Sequence, residues 1–152
     1  MLKNIFVIVM IFVLSALVIA QETSYIEILK SDINTQRRAL ITAAMDFSEE
    51  EAQKFWPVYK EYEIEYDKMM DKEIELIKSY AESYENMSEE VAHQIAEKSY
   101  EIDKEQLSLS EKYFKKYSDE LGILRAVKLQ MVLNRIELMI SLQKASNIPV
   151  LE

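Results

Sequence analysis

The 152-residue chain contains no cysteine, one histidine, one glycine and two prolines. The missing cysteine excludes disulfides, thiolate metal sites, cysteine nucleophiles and thiol-linked lipidation of a mature N-terminus. The lone histidine, His93, excludes a zinc site of two or three histidines. It sits in Glu90-Val91-Ala92-His93, half of what a carboxylate-bridged di-metal bundle needs, and no second histidine completes the pair. His93 therefore reads as a solvated or capping-turn residue. With Gly122 as the single glycine, the chain has no glycine-rich phosphate loop and no nucleophile elbow. A sheet protein is excluded on the same ground, because strands need turn residues every few positions.

What the chain does contain is acid and helix formers. The net charge is −9, which argues against nucleic acid and anionic membrane surfaces as partners. Most of the acid lies between Ser48 and Leu121. The stretch from Gly122 onward is slightly basic through Arg125, Lys128, Arg135 and Lys144. Acid runs such as Glu61-Tyr62-Glu63-Ile64-Glu65-Tyr66-Asp67 lack the calcium-loop spacing and its glycine, and splay around a helix. Lys60, Lys68 and Lys72 point instead to pairing within the helix. Met45, Met69, Met70, Met87, Met131 and Met139 never fall three or four apart, so they read as core filling. No residue pattern calls for a cofactor, a metal or an enzyme's active site.

The N-terminus begins with basic Lys3 and an apolar run from Ile5 to Ala20 broken by Ser15. Compact Val18 and Ala20 precede polar Gln21 and Glu22. A charged start, a short apolar stretch and a small-residue exit form a signal peptide, residues 1–20, cut between Ala20 and Gln21. The run falls short of the roughly 20 apolar residues that span a bilayer. Cleavage leaves one helical domain, residues 21–152, exported to the periplasm or the medium and held by packing alone.

Caps mark four helices. Ser24-Tyr25-Ile26-Glu27 fits a capping box that opens a first helix running to about Ala44. Ser48 with Glu51 is a second box, and Phe47 precedes it as a hydrophobic staple; three acids in its first turn suit the helix dipole. Ser88 opens the third helix with Met87 in the same place. Gly122 ends that helix and lets a fourth begin near Leu124. The segments Phe47–Phe55 and Met87–Ile95 repeat in register: hydrophobe, serine, two acids, alanine, hydrophobe.

Spacing assigns the buried faces. Ala52, Phe55, Tyr59, Tyr62, Tyr66 and Met69 form a heptad-like seam on the second helix; Glu73 interrupts it, and Leu76, Tyr80 and Tyr84 resume it. Pro57 lies beyond the first turn and predicts a bend. The third helix carries a narrow stripe of Ile95, Ile102 and Leu109. On the fourth, Leu129, Val132, Leu133, Ile136 and Ile140 make one face, while Leu124, Met131, Leu138 and Leu142 spread wider. Such a helix is either the core helix or part of a subunit interface. The expected fold is all-α: four helices, some long, joined as hairpins, with dimerisation in reach. Trp56, Tyr80, Tyr84, Tyr100, Tyr113 and Tyr117 fall outside the central seam and are candidate contacts for a client or partner, since tyrosine offers amphipathic contact at low entropy cost.

The start Phe47-Ser48-Glu49-Glu50-Glu51-Ala52-Gln53, the run Lys54-Phe55-Trp56-Pro57-Val58-Tyr59-Lys60-Glu61-Tyr62 and the segment Ala145-Ser146-Asn147-Ile148-Pro149-Val150 resemble the Spy/CpxP-like group of small periplasmic helical proteins. The first of these is close to that group's Leu-Thr-x-x-Gln box. The boxes here read Phe-Ser and Met-Ser, and His93 stands where the second would have glutamine. The resemblance implies a cradle-shaped homodimer that binds unfolded clients without ATP or damps envelope-stress signalling. The acidic surface departs from the basic concave face of the group's chaperone. Two functional expectations follow. One is a chaperone-like stress protein with unfolded or envelope-protein clients. The other is a regulatory protein docking on a membrane sensor or anti-sigma factor, with metal-responsive sensing behind both.

Overall fold

The structure, a computed structural model, describes Ile28 and residues 30–151. The expected signal peptide, residues 1–20, and the expected Ser24–Glu27 capping box lie outside the described residues. All four helices seen among the described residues, and the absence of strands there, make the fold all-α. We label them α1 (residues 30–45), α2 (Glu49–Ser83), α3 (Glu89–Leu121) and α4 (Ile123–Asn147), with a single 3-10 turn at Tyr84–Asn86. The chain divides into two compact units between Ala39 and Leu40. In the first, residues 30–39 are helical, Lys30 and Arg37 are buried, and the Thr35 hydroxyl donates to the Ser31 carbonyl at 2.8 Å. The second unit holds the rest of α1 and all of α2, α3 and α4.

Each helix stops and starts for a local reason. Asp46 ends α1 with φ 47°, and its N–H reaches the Thr42 carbonyl at 3.2 Å. A left-handed residue after the last turn is an ordinary helix stop, although glycine or asparagine is the usual choice. At Ser48 the capping box is complete. Its hydroxyl accepts from the Glu51 N–H at 3.2 Å, and the Glu51 carboxylate accepts from the Ser48 N–H at 2.9 Å. At Ser88 only half of that exchange is possible, because the third helical residue is Val91. The Ser88 hydroxyl accepts from the Val91 N–H at 3.2 Å. Gly122 turns α3 into α4 in one residue, at φ 79° and ψ 156°, a region that only glycine enters freely.

α2 remains helical through Pro57. Proline removes the hydrogen bond to the Gln53 carbonyl, but both residues are exposed, so water reaches that carbonyl.

Ion pairs fix how the helices run. As the α2 position rises from Glu61 through Glu65 to Lys72, its α3 partner falls from Lys116 through Lys112 to Glu105, step for step. That is an antiparallel pair in one register. α4 turns back on α3, with Ser110 meeting Gln130 and Gln106 meeting Glu137. It therefore runs parallel to α2: Arg125 pairs with Glu51, the Tyr66 hydroxyl donates to Glu137, and Lys144 pairs with Glu73. Of the lysines expected to pair within α2, Lys72 pairs across to Glu105 of α3 instead. Spacing along one helix reveals only its own neighbours. Within α2, Lys54 and Glu50 do pair with the i, i+4 geometry. Exposed pairs are largely screened by solvent, so those between α2 and α3 mark register more than they stabilise.

The core is aromatic and lies toward one end. The buried residues are Ile41 and Met45 of α1; Phe55, Tyr59, Tyr62, Tyr66, Met69 and Met70 of α2; Leu109, Tyr113 and Tyr117 of α3; and Ala126, Leu129, Leu133 and Ile136 of α4. The seam read from α2 is the core seam from Phe55 to Met69. The fourth-helix face is likewise the buried one, with Val132 and Ile140 half-buried at its margins. Met131 and Met139 depart from core filling: both lie exposed on α4.

Candidate functional site

Three places in the second unit gather chemistry. The first is the corner where α2 and α4 begin. Arg125 grips the Glu51 carboxylate with two parallel bonds, Nε to Oε1 and Nη2 to Oε2, both 2.7 Å. The Arg125 guanidinium also lies 5.4 Å from the centre of the Phe47 ring, which packs 4.6 Å from Phe55. The hydrogen bond from the Ser48 N–H, and then Arg125, hold the Glu51 carboxyl below its ordinary range. Phe47, Ser48 and Glu51 thus join the α2 cap to α4. Met87 and Ser88 sit at the opposite end of α2 and share in no such corner.

The second place is the aromatic seam. Rings run from Phe55 to Tyr59, Tyr62 and Tyr66 with centroids 5.3–5.7 Å apart, and Tyr117 and Tyr113 of α3 join at 5.6 and 5.3 Å. Tilted and edge-on pairs of this kind contribute about 0.5–1.5 kcal/mol beyond area burial. The Tyr113 hydroxyl donates to Glu65 at 2.9 Å, and Lys112 donates to both oxygens of the same carboxylate. Lys112, aided by Tyr113, holds the Glu65 carboxyl below its ordinary range, while burial pushes the Tyr113 hydroxyl up.

These contacts correct two of the candidate contact residues. Tyr113 and Tyr117 are 1% and 2% exposed, so they are core and unavailable to a client. Their amphipathic rings fit a wet surface and a polar-edged core equally well on sequence grounds. Trp56 is half-buried against Phe55 and Tyr59. Tyr100 is exposed on α3. Tyr80 and Tyr84 donate their hydroxyls to the carbonyls of Pro149 and Val150 at 2.7 and 2.9 Å. Trp56 and Tyr80 are 24 residues apart on one helix, about 36 Å, so the six aromatics form no common surface.

A polar cleft of about 310 Å³ separates α3 from α4, floored by Tyr62, Tyr113 and Leu133. Its wall groups bond one another: Gln106 Nε2 donates to Glu137, and Gln130 Nε2 donates to Ser110 and Asn134. The cleft reads as a polar layer that fixes the hairpin.

The third place is the outer face of α4, opposite its buried face. Leu124, Val127, Met131, Leu138 and Leu142 are exposed, from 43% for Val127 to 83% for Leu124. Steps of three, four and seven align them over about 27 Å, with exposed Lys128 and Arg135 among them and no acid in the row. An apolar helix face normally packs against something. The sequence carried this signal in the wider spread of Leu124, Met131, Leu138 and Leu142, but spacing alone does not say which of two opposite stripes is the core.

Among the described residues, no helix is long and apolar enough to cross a membrane. Among the same residues, no three His, Cys, Asp or Glu side chains gather where a metal ion would sit. His93 lies exposed beside Glu97 at 3.5 Å. Compared with known proteins, the chain matches no family model, no curated protein and no solved structure.

Proposed function

We propose that the chain is an exported, ATP-independent chaperone of the Spy/CpxP-like kind, active after loss of residues 1–20, which holds unfolded apolar segments on the outer face of α4. The observation that carries this reading is the row Leu124, Val127, Met131, Leu138 and Leu142, exposed and aligned on one face of α4 in a chain of net charge −9. Contiguous exposed apolar area of this kind marks interaction surfaces. Lys128 and Arg135 on the same face favour apolar client segments that also carry acid, and disfavour the acid-free outer row of another copy's α4. The surrounding negative charge keeps a loaded complex soluble.

Purified protein from Gln21 onward should suppress aggregation of a reduced, unfolded client at near-stoichiometric ratio. Met131→Asp and Leu138→Asp, at exposed positions, should leave helicity unchanged and reduce suppression several-fold. Absence of suppression at several-fold excess, across salt concentrations, refutes the reading. A single stoichiometric partner captured from envelope extract, lost with the same two substitutions, would replace it with a regulatory role on a membrane sensor.

A further inference from the structure

Beyond Met70 on α2, before Leu109 on α3 and beyond Ile136 on α4, no described residue of the second unit is fully buried. The helices nevertheless continue. Between them lies a cleft of about 460 Å³ bounded by Leu76, Ile77, Tyr80, Ile95 and Ser99. Ala145 of α4 and the segment after it, Ile148, Pro149 and Val150, form the remaining wall, with Ile148 half-buried and Val150 86% exposed. α4 stops at Asn147, whose side-chain amide donates to the Gln143 carbonyl at 2.7 Å. Pro149 cannot extend the helix, and Ile148 is already extended at φ −100° and ψ 116°.

The contacts on this strap are of a particular kind. Tyr80 near the end of α2 and Tyr84, four residues on at the start of the 3-10 turn, donate to two consecutive backbone carbonyls, those of Pro149 and Val150. Their rings pack edge-on at 5.7 Å, which fixes both hydroxyls at the lip of the cleft. Backbone carbonyls are common to every peptide. The remaining lining is aliphatic and open, so it selects apolar side chains without selecting one sequence. This is how a groove recognises an extended peptide: main-chain bonds give affinity and apolar pockets accept the side chains.

We infer that the cleft between the second half of α2 and the first half of α3 is a binding groove for an extended apolar peptide segment, and that residues 148–150, which hold the hydroxyls of Tyr80 and Tyr84 through their backbone, act as an internal competitor at its lip. The inference rests on the client-binding reading and gives it a second, gated site. A short tether holds its segment at an effective concentration on the order of millimolar. A strap whose free peptide binds with a Kd of ~100 µM would then engage the two tyrosine hydroxyls about ten to one. It would hold both hydroxyls at rest and still yield to a client that binds better.

The probe is a fluorescein-labelled peptide of the last six residues, Asn147 to Glu152, followed by anisotropy. The chain ending at Asn147 should bind it about tenfold more tightly than the intact chain. Within the shortened chain, Tyr80→Phe and Tyr84→Phe should each weaken binding by about 3- to 10-fold, and Ile95→Asp should abolish it. Ile148→Asp in the intact chain loosens the strap without touching the groove and should also raise probe binding. It serves as the opening variant should the shortened chain lose its helicity. Equal, weak binding by the intact, shortened and Ile148→Asp chains overturns the inference. Probe binding that rises on strap removal, with no aggregation suppression in any form, upholds the groove and refutes the chaperone reading. Suppression that depends on Met131 and Leu138, with no probe binding in any form, does the reverse.

Discussion

The two ends of the α2–α3–α4 assembly are built from similar residues and behave as different materials. At one end, Phe55, Tyr59, Tyr62 and Tyr66 interlock with Tyr113 and Tyr117, and Leu129, Leu133 and Ile136 supply aliphatic contact; all nine are buried. At the other end, Leu76, Ile77, Tyr80, Ile95 and Ile148 are only half-buried. Both ends carry tyrosines four residues apart along or just beyond α2. At the packed end the rings have α3 and α4 on their far side. At the open end that place is taken by Ala145 of α4 and the three strap residues Ile148, Pro149 and Val150. The difference teaches that tyrosine spacing alone does not make a core; a third helix within reach does. α4 supplies that helix only while its buried residues last, to Ile136.

If the contrast is real, equal surgery at the two ends has unequal cost. Tyr113→Ala should cost about 3–5 kcal/mol, the range for deleting a large buried aromatic, whereas Ile95→Ala should cost under about 1 kcal/mol, as at sites that are not packed shut. Calorimetric melting of both variants compares the ends directly, and similar losses would erase the distinction. Gly122→Ala tests the joint that brings α4 to the packed end. A Cβ there would meet no atom within 4 Å, so its cost is purely backbone, about 1–3 kcal/mol. Loss of the cap in Ser48→Ala should cost about 1 kcal/mol, also read in the melting midpoint, and should loosen the corner held by Arg125.

The smallest expected effect is electrostatic. Glu65 and Glu51 have folded-state pKa values below the ordinary 4.5. In that window the unfolded chain binds more protons than the folded one, so stability rises with pH. Their contribution is fully present above pH of about 4.5 and is lost as pH falls through the folded values. Glu65→Gln should therefore flatten the decline in melting temperature below that pH by bringing the neutral value slightly down toward the acid one. A parallel decline in the variant would assign acid lability elsewhere.

Much of the scaffold was legible in the residues. The steps of three and four from Phe55 to Met69 gave the α2 seam, and Ser48, Ser88 and Gly122 gave three boundaries. Two kinds of information were hidden. Partners across helices leave no mark in one helix's spacing, so the Glu61–Lys116 and Glu65–Lys112 pairs and the Glu51–Arg125 grip emerged only from the fold. Amphipathic side chains are ambiguous by nature. Tyr113 and Tyr117 looked like surface contacts because a hydroxyl tolerates water, and Glu65 beside Tyr113 shows how the same hydroxyl is accommodated in a core. Asp46 ends α1 without the glycine that would have announced it. The outer row of α4 was visible as surplus hydrophobicity, and its exposure became evident once the opposite face was seen to be core. The groove around the strap had no sequence signature, since it depends on two hydroxyls meeting carbonyls some 66–69 positions away.

Native-state hydrogen exchange tests the contrast between the ends most directly. Amides of residues 55–70, 109–117 and 126–136 should exchange only through global unfolding, with one shared free energy. Those of 76–83, 91–102 and 140–147 should exchange through a separate opening of lower free energy, lowered further when the chain ends at Asn147. A single protection level along α2 and α3, unchanged by loss of the strap, would contradict the account.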